Sequence, residues 1–205
     1  MDESSAVSEQ YQISKNEAVL LIEFQNEWVS ELGWLRRNLI TDNIDFNSVL
    51  FNAKTLLKLA RRKNANIIHV TLQPDKEYSI FGKAKYGLRA DIPKAGTWQH
   101  EMQQIHADFT PENGETVISE RTGASAFSGS MLDHYLRNNR IDTLFLSGFA
   151  THVCVESTLR EAHDRGYTCY VVTDATAAFK QEQQNYFENE ILQHFGKGVK
   201  VSQLG

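Results

Sequence analysis

The sequence predicts a three-layer α/β/α fold built on a six-stranded, mostly parallel sheet. Six short apolar runs rich in β-branched residues have the character of strands that are buried on both faces. These runs are residues 18–24, 65–72, 115–119, 141–148, 167–173 and 199–204. Segments with helical spacing lie between several of them, at residues 47–63, 129–139, 151–166 and 180–195. Alternating strands and helices imply right-handed crossovers, which place helices on both faces of the sheet.

The length of the chain predicts one domain, because 205 residues can enclose a single large core. We expect that domain to cover residues 17–205, after a flexible, polar N-terminal tail at residues 1–16. Residues 73–109 break the alternation, since glycines and prolines lie there among aromatic and charged residues. Long connections of this kind often form lids or binding loops. We therefore predict an excursion of the chain over the carboxyl edge of the sheet.

Charge and composition argue against nucleic acid and membrane partners. The net charge is -5, and acidic and basic residues are mixed along most of the chain, so no basic face is apparent. No stretch reaches the roughly 18 apolar residues of a membrane span. We expect a cytoplasmic protein that binds neither nucleic acid nor membranes. The two cysteines, Cys154 and Cys169, are interpreted as free thiols in a reducing compartment.

Three predicted strands end next to residues with reactive side chains. Glu23 lies at the end of the first strand, Arg121 follows the third, and Cys154 follows the fourth. The carboxyl ends of parallel strands meet at one edge of the sheet, where ligands bind in folds of this class. A carboxylate, a cation and a thiol in one pocket would suit nucleophilic acyl chemistry.

The position of Cys154 fits a reactive thiol and a structural cysteine equally well. The residue lies in the first turn of the helix predicted at residues 151–166. Unpaired backbone N–H groups and the positive end of the helix dipole favour a thiolate there, and the same amides can hold an oxyanion. A buried cysteine that packs the helix against the sheet would occupy the same position.

Several motifs, in order and with consistent spacing, decide between these readings. They are Leu20-Leu21-Ile22-Glu23-Phe24-Gln25-Asn26, then Gly96-Thr97 with Pro111, Asn113 and Gly114, then Arg121-Thr122-Gly123-Ala124-Ser125-Ala126-Phe127, then Gly148-Phe149-Ala150-Thr151-His152-Val153-Cys154-Val155, and finally Thr158, Ala162, Gly166 and Asp174-Ala175. From about residue 17 to the C-terminus, the sequence resembles the isochorismatase-like cysteine hydrolases. The nucleophile turn, Gly-x-x-Thr-x-x-Cys-Val, is the most specific of these motifs.

The resemblance implies a catalytic triad in which two members are substituted. The family's Asp, Lys and Cys correspond to Glu23, Arg121 and Cys154. Glutamate keeps the acid and base function but is one methylene longer, and arginine keeps the charge but cannot release its proton at neutral pH. We hypothesise a two-point contact in which Arg121 anchors Glu23 and polarises Cys154, while Glu23 moves the proton. The alternative is that Glu23 and Arg121 form an inert ion pair in a catalytically inactive site.

The resemblance also implies an oxyanion hole and a set of substrate contacts. The family's nucleophile turn contains a cis peptide bond, which would lie here between Phe149 and Ala150, with the Ala150 and Cys154 amides facing the oxyanion. Some members place a substrate-binding glutamine where this chain has Gln73, and an exposed loop glutamine is the equal alternative. Substrate contacts are further expected from the residues Trp28, Phe127, Phe149 and Thr151, although aromatic residues at strand ends are more often part of the core.

No metal or cofactor is expected from the sequence. Nicotinamidases of this superfamily bind a metal through an Asp-x-His motif after the second strand, whereas this chain has Leu72-Gln73-Pro74-Asp75 there. The seven histidines are scattered without ligand spacing, so packing or solvated roles are favoured for them.

Three functions remain open at this point. The leading hypothesis is a metal-independent cysteine hydrolase that cleaves a small amide, ureido or related C–N bond through a covalent thioester. The alternatives are vinyl ether hydrolysis of the isochorismatase type, which needs no nucleophile, and a catalytically inactive small-molecule binder. The resemblance further implies a homodimer or homotetramer, and the sequence specifies neither the number of subunits nor the substrate.

Overall fold

The computed structural model describes residues 9–40 and 44–205, which form a six-stranded sheet with all neighbouring strands parallel. The strands are β1 (Glu17–Ile22), β2 (Asn66–Val70), β3 (Thr116–Ile118), β4 (Thr143–Phe149), β5 (Thr168–Ala177) and β6 (Lys197–Val199). Their order across the sheet is β3-β2-β1-β4-β5-β6. The six-stranded α/β fold predicted from the sequence is confirmed.

Helices cover both faces of this sheet. They are α1 (Asn26–Val29), α2 (Trp34–Leu39), α3 (Phe46–Arg62), α4 (Leu88–Ala95), α5 (Leu132–Asn138), α6 (Glu156–Asp164), α7 (Gln181–Tyr186) and α8 (Leu192–Phe195). A π-helical turn, Thr151–Val155, precedes α6, and a second one, Phe187–Ile191, joins α7 to α8. No described helix is long and apolar enough to cross a bilayer.

The alternation of side chains along β1 divides the core into two layers. Val19 and Leu21 belong to the cluster that includes the buried face of α3, whereas Leu20 and Ile22 belong to the cluster with α5 and α6. All four side chains are almost fully buried. A strand that buries both of its faces reads as a continuous apolar run, which is why β1 was recognisable in the sequence.

The strand order fixes the position of a ligand site. Chain connections reverse direction between β1 and β4, the two central strands, and ligands in doubly wound sheets bind in the crevice beyond that point. Glu23 follows β1 directly, and the turn that contains Cys154 follows β4. The sheet therefore brings the carboxylate and the thiol to the same crevice.

Several boundaries differ from the sequence-based expectation. The last strand covers Lys197–Val199, and Val201–Gln203 form a 3₁₀ turn, so the strand predicted at residues 199–204 was placed too late. Backbone groups of Tyr11 pair with those of Gln203 and Gly205, and Ile13 is buried in the core. The segment from Tyr11 onward is therefore packed, in contrast to the loose tail expected at residues 1–16, of which residues 1–8 lie outside the described residues.

A buried ion cluster fastens α3 to the β2–β3 side of the sheet. Glu115 accepts hydrogen bonds from Arg61 Nε at 2.7 Å and is 2.7 Å from His69 Nε2, while its side chain is only 8% exposed. Burial alone would raise the pKa of Glu115, but the hydrogen bonds from Arg61, His69 and the Glu112 amide outweigh it and lower the pKa to about 2. Burial also lowers the pKa of His69, so the imidazole is neutral and donates through Nε2.

We expect Glu115→Gln to lower the free energy of unfolding at pH 7 by about 2 kcal/mol, because the lowered pKa reflects stabilisation of the ionised carboxylate. The carboxylate contributes fully above its unfolded-state pKa of 4.5, and the contribution is lost as the pH falls towards about 2. Urea unfolding at pH 7 and pH 3 measures the difference between wild type and variant. The difference in the free energy of unfolding between wild type and variant should be smaller at pH 3 than at pH 7.

Glu112→Gln is the matched control, because Glu112 pairs with the same arginine, Arg61, but has a side chain that is 65% exposed. This substitution should cost less than about 1 kcal/mol. Equal losses in the two variants, or a loss for Glu115→Gln that does not change with pH, would contradict the assignment.

Candidate active site

Glu23, Arg121 and Cys154 meet beyond the carboxyl edge of the sheet. Glu23 Oε1 contacts Arg121 Nη2 and accepts a hydrogen bond from Cys154 Sγ at 3.2 Å. Its other oxygen, Oε2, accepts a hydrogen bond from Trp28 Nε1 at 2.7 Å. The Glu23 and Arg121 side chains are 3% and 0% exposed. The carboxylate is therefore held by three neighbours and shielded from bulk water.

The backbone of Glu23 turns sharply at the end of β1. Its φ of 59° lies in the left-handed region, which non-glycine residues seldom occupy. Its N–H donates to Val70 O on β2 at 2.8 Å, so the turn is tied to the neighbouring strand. Residues in such conformations cluster at functional sites, where the surrounding structure holds them in place.

Arg121 uses its remaining donors on backbone carbonyl groups. Nε donates to Thr71 O at 3.2 Å, and Nη1 donates to Gly123 O at 3.1 Å and Ala124 O at 2.7 Å. The contact between Arg121 and Glu23 is made by Nη2, while Nε and Nη1 are bound to these carbonyls. Arg121 therefore ties the loop after β3 to β2 and presents one side of its guanidinium to Glu23.

A tight turn places Cys154 beside Glu23. Gly148 has a φ of 115°, and a Cβ there would lie 2.0 Å from Ile22 O on β1. Only glycine allows this close approach of β4 to β1. The peptide bond between Phe149 and Ala150 is cis. Ala150 and Cys154 both line the cavity described below, so their backbone lies beside the space that a substrate would occupy.

Thr158 connects the nucleophile turn to the Arg121 loop. Its hydroxyl donates to Cys154 O at 2.7 Å and accepts from the Ala126 amide at 2.9 Å. The residue is fully buried. The Ser-Ala-Phe part of the third motif thus has a structural role, since it supplies a backbone donor that fixes α6 relative to Arg121.

Cys169 differs from Cys154 in its surroundings. Cys169 is 3% exposed, and its Sγ has only a weak contact of 3.6 Å with Tyr167 O. Burial raises the pKa of the Cys169 thiol to about 12. Both cysteines are free thiols, and Cys154 is the one that lines the cavity beside Glu23 and Arg121.

The cavity in front of Cys154 has a volume of about 310 Å³, which is the size of a small-molecule site. Its walls come from the strand ends, α2, the segment with α4, and the loop after β5. The lining residues are Glu23, Trp28, Leu35, Leu39, Leu72, Phe81, Tyr86, Gly87, Leu88, Arg89, Ile92, Trp98, Arg121, Thr122, Gly123, Ala124, Ala150, Val153, Cys154 and Phe179. The polar groups are few, and most of the wall is apolar.

Of the predicted wall residues, Trp28 lines the cavity and the others lie outside its lining. Phe149 packs in an aromatic cluster against Phe24 and Phe46, with ring centroids 5.0 and 4.8 Å apart. Phe127 stacks on Tyr167 on the other face of the sheet.

Thr151 and Gln73 also lie outside the lining. Thr151 is fully buried, whereas Gln73 is exposed. The Gln73 amide donates to Gln103 O at 3.1 Å, so in this structure it braces the excursion. Sequence patterns marked strand ends correctly, but they did not show on which side of the backbone each side chain lies.

The excursion after β2 is fastened to the site by two motif residues whose role the sequence did not show. Gln25 accepts from Leu72 N at 2.8 Å, donates to Leu72 O at 2.9 Å and also contacts Gln103 O. Asn26 Nδ2 donates to Glu101 O at 2.8 Å. These amides supply both donors and acceptors to unpaired backbone, which explains the Gln-Asn pair at the strand end.

Glu27 braces two walls of the cavity at once. Its fully buried carboxylate accepts the Leu35 amide at 2.9 Å and the Trp98 amide at 3.1 Å. Leu35 belongs to α2 and Trp98 to the excursion, and both line the cavity. From the sequence alone, a glutamate beside a motif would be taken for a surface residue. Only its long-range contacts show that Glu27 braces the cavity walls.

In the part of the chain that the structure describes, no histidine is a hydrogen-bond or ion-pair partner of Glu23, Arg121 or Cys154. Among the described residues, no group of three or more His, Cys, Asp or Glu side chains has the arrangement of a metal site. His69 is bound to Glu115, on the β2–β3 side of the sheet. His152 packs edge-on against Phe179, and burial lowers its pKa.

Glu27→Gln should loosen both walls, because an amide can offer its single oxygen to only one of the two backbone N–H groups while its NH₂ opposes the other. Hydrogen–deuterium exchange would report this. We expect exchange at the Leu35 and Trp98 amides to rise at least about tenfold, with no change in α3. Glu31→Gln, at an exposed position nearby, is the matched control. Unchanged protection of both amides in Glu27→Gln would refute the bracing role.

Comparison with known proteins agrees with the fold and the motifs. The Isochorismatase domain matches residues 17–203. The ureidoacrylate amidohydrolase RutB of Caulobacter vibrioides is 31% identical over 183 residues, which cover 79% of this chain and 77% of that protein.

Solved structures with the same architecture include an isochorismatase-like hydrolase from Alkaliphilus metalliredigens, with a TM-score of 0.75 and 23% identity, covering 92% of this chain and 96% of that one. Another is N-carbamoylsarcosine amidase from Thermoplasma acidophilum, with a TM-score of 0.67 and 24% identity, covering 91% and 96%. The resemblance drawn from the motifs is confirmed. By its fold and by the match over residues 17–203, the chain belongs to the isochorismatase family.

Proposed function

We propose that this protein is a metal-independent cysteine hydrolase that cleaves a small amide, ureido or related C–N bond through a covalent thioester on Cys154. The observation that carries the proposal is the 3.2 Å hydrogen bond from Cys154 Sγ to the buried carboxylate of Glu23, at the wall of a small-molecule cavity. A thiol next to a base, which is itself oriented by a third group, is the general arrangement of an activated nucleophile.

The first half of the proposed reaction is acylation of Cys154. Glu23 takes the thiol proton, and Cys154 Sγ forms a bond to the carbonyl carbon of the substrate. The carbonyl oxygen becomes an oxyanion, for which the amides of Ala150 and Cys154 are the proposed donors. Arg121 compensates the charge of Glu23 before the transfer and orients its carboxylate. Trp28, on the other carboxylate oxygen, limits rotation of the group.

Completion of the reaction uses the same carboxyl group as an acid. Glu23 returns its proton to the leaving nitrogen as the C–N bond breaks, which releases an amine or ammonia and leaves a thioester. A water molecule, deprotonated by Glu23, then attacks the thioester carbonyl. The acid product leaves, and the thiol regains its proton. Arg121 stays protonated throughout, so the proton moves between Glu23, Cys154, the leaving group and water.

The family comparison supports this class of bond. RutB, the relative at 31% identity, is described as a ureidoacrylate amidohydrolase. Vinyl ether hydrolysis would need the Glu23 acid but not the thiol, and a retired site would need neither. The direct Sγ–carboxylate contact favours the use of both. We also propose that the chain acts in the cytoplasm as a homodimer or homotetramer, as the family resemblance implies.

Cys154→Ser should reduce hydrolysis at least about 1,000-fold, because the hydroxyl is a far weaker nucleophile beside a carboxylate base. The assay is ammonia or amine release from a panel of primary amides and ureides small enough for the cavity. Intact-mass spectrometry of quenched wild-type reactions should show an acyl adduct on Cys154. Cys169→Ser is the matched control and should retain full activity.

Arg121→Lys should lower kcat about 10- to 100-fold despite the conserved charge, because lysine cannot serve Glu23 and the Thr71, Gly123 and Ala124 carbonyls together. Full activity in Arg121→Lys would show that the guanidinium does not position Glu23.

Hydrolysis that persists in Cys154→Ser would overturn the covalent mechanism and favour acid catalysis of the vinyl ether type.

A further inference from the structure

The lining of the cavity contains two arginines, and only one of them is committed to a carboxylate. Arg121 is bound to Glu23 and to three backbone carbonyls, so most of its donors are already committed within the site. Arg89, in the first turn of α4, also lines the cavity but forms no ion pair with any described carboxylate. The site therefore has a cation that the proposed reaction does not use.

Arg89 is held in place at the mouth of the cavity. Its Nη2 donates to Phe81 O at 2.8 Å, and Phe81 is itself buried and part of the lining. Within the described chain, the other guanidinium N–H groups form no hydrogen bonds. The Arg89 side chain is exposed. Its guanidinium is therefore held through one N–H group, and its other N–H groups are open to a ligand. Planar, bidentate recognition of a carboxylate is the contact that this group makes best.

Away from the proposed oxyanion donors at Ala150 and Cys154, most of the wall offers no partner for an anion. Between the mouth and Cys154 the lining is mainly leucine, isoleucine, tryptophan and phenylalanine. A charged group placed against such a surface would lose its hydration without compensation. A negative charge at the far end of a substrate is therefore best accommodated at Arg89, with the apolar middle of the substrate against the wall and the opposite end at the thiol.

Residues 82–89 are positively charged, although the protein as a whole is acidic. Residues 82–89 contain Lys83, Lys85 and Arg89 and no acidic residue, while the net charge of the chain is -5. Lys83 and Lys85 are exposed and form no ion pair with described residues. A local positive patch at the entrance of a cleft raises the encounter rate of anionic ligands.

From these observations we propose that Arg89 is the recognition residue for a carboxylate at the end of the substrate remote from the scissile bond. The substrate class is thus an amide or ureide with a short apolar middle and a terminal carboxylate. The inference rests on the proposed function, because it assumes that the scissile carbonyl lies at Cys154. The cavity of about 310 Å³ restricts the whole ligand to a small molecule.

A pair of thiol probes tests this recognition without a known substrate. N-Iodoacetyl-6-aminohexanoic acid carries an electrophile at one end and a carboxylate at the other, and its methyl ester lacks only the charge. Shorter homologues with two to four methylenes cover other spacings. The second-order rate of labelling at Cys154, measured by peptide mass spectrometry at low salt, gives an acid-to-ester ratio for each chain length.

We expect the acid to label wild-type Cys154 at least about tenfold faster than the ester at the best chain length. Arg89→Gln should bring the ratio close to one without slowing the ester. Arg89→Lys should give an intermediate ratio, because it keeps the charge and loses the fork. Lys94→Gln is the matched control, since Lys94 lies on the same helix, is paired with Asp91 and does not line the cavity.

The outcomes separate the inference from the function on which it rests. If Cys154 reacts rapidly with acid and ester alike at every chain length, or if Arg89→Gln leaves the ratio unchanged, the carboxylate recognition is wrong while the reactive thiol stands. If neither probe labels Cys154 faster than it labels Cys169, the proposed cysteine chemistry fails, and the inference fails with it.

Discussion

The structure of the site depends on one buried carboxylate. Glu23 is surrounded by apolar and aromatic residues at the centre of the crevice, and an ionised carboxylate at this depth would be very costly without partners. Arg121, Trp28 and Cys154 supply those partners from three different elements. These contacts therefore hold the ends of β1, β3 and β4 together around the cavity. They also keep a base next to the thiol.

The Glu–Arg pair in place of Asp and Lys changes how this charge is supported. The longer carboxylate contacts Arg121, Trp28 and Cys154 at once. The guanidinium donates its other hydrogen bonds to the carbonyls of Thr71, Gly123 and Ala124. A lysine ammonium is a single point charge that could not connect these strands and loops in the same way. The exchange thus makes the cation a structural tie between the β2 and β3 ends as well as the counter-ion of the base.

The sequence was sufficient for the sheet and the reacting groups, but not for the cavity. Strands such as β1 and β4 are buried on both faces and read as apolar runs, and the strand order brings Glu23 and Cys154 together by topology alone. The walls depend instead on contacts between residues far apart in the chain, such as Glu27 with Trp98 or Arg89 with Phe81. No periodic pattern encodes those contacts, so Phe149 and Phe127 were assigned to a wall although they pack in the core.

The reactivity of Cys154 toward iodoacetamide at pH 7 is the most direct test of the account, with Cys169 in the same protein as an internal reference. The account predicts that Cys154 alkylates at least about tenfold faster than Cys169, and that Glu23→Gln slows the alkylation of Cys154 at least about tenfold while the Cys169 rate stays constant. Equal, slow alkylation of both cysteines, unaffected by Glu23→Gln, would show that the carboxylate does not activate the thiol and would contradict the central claim.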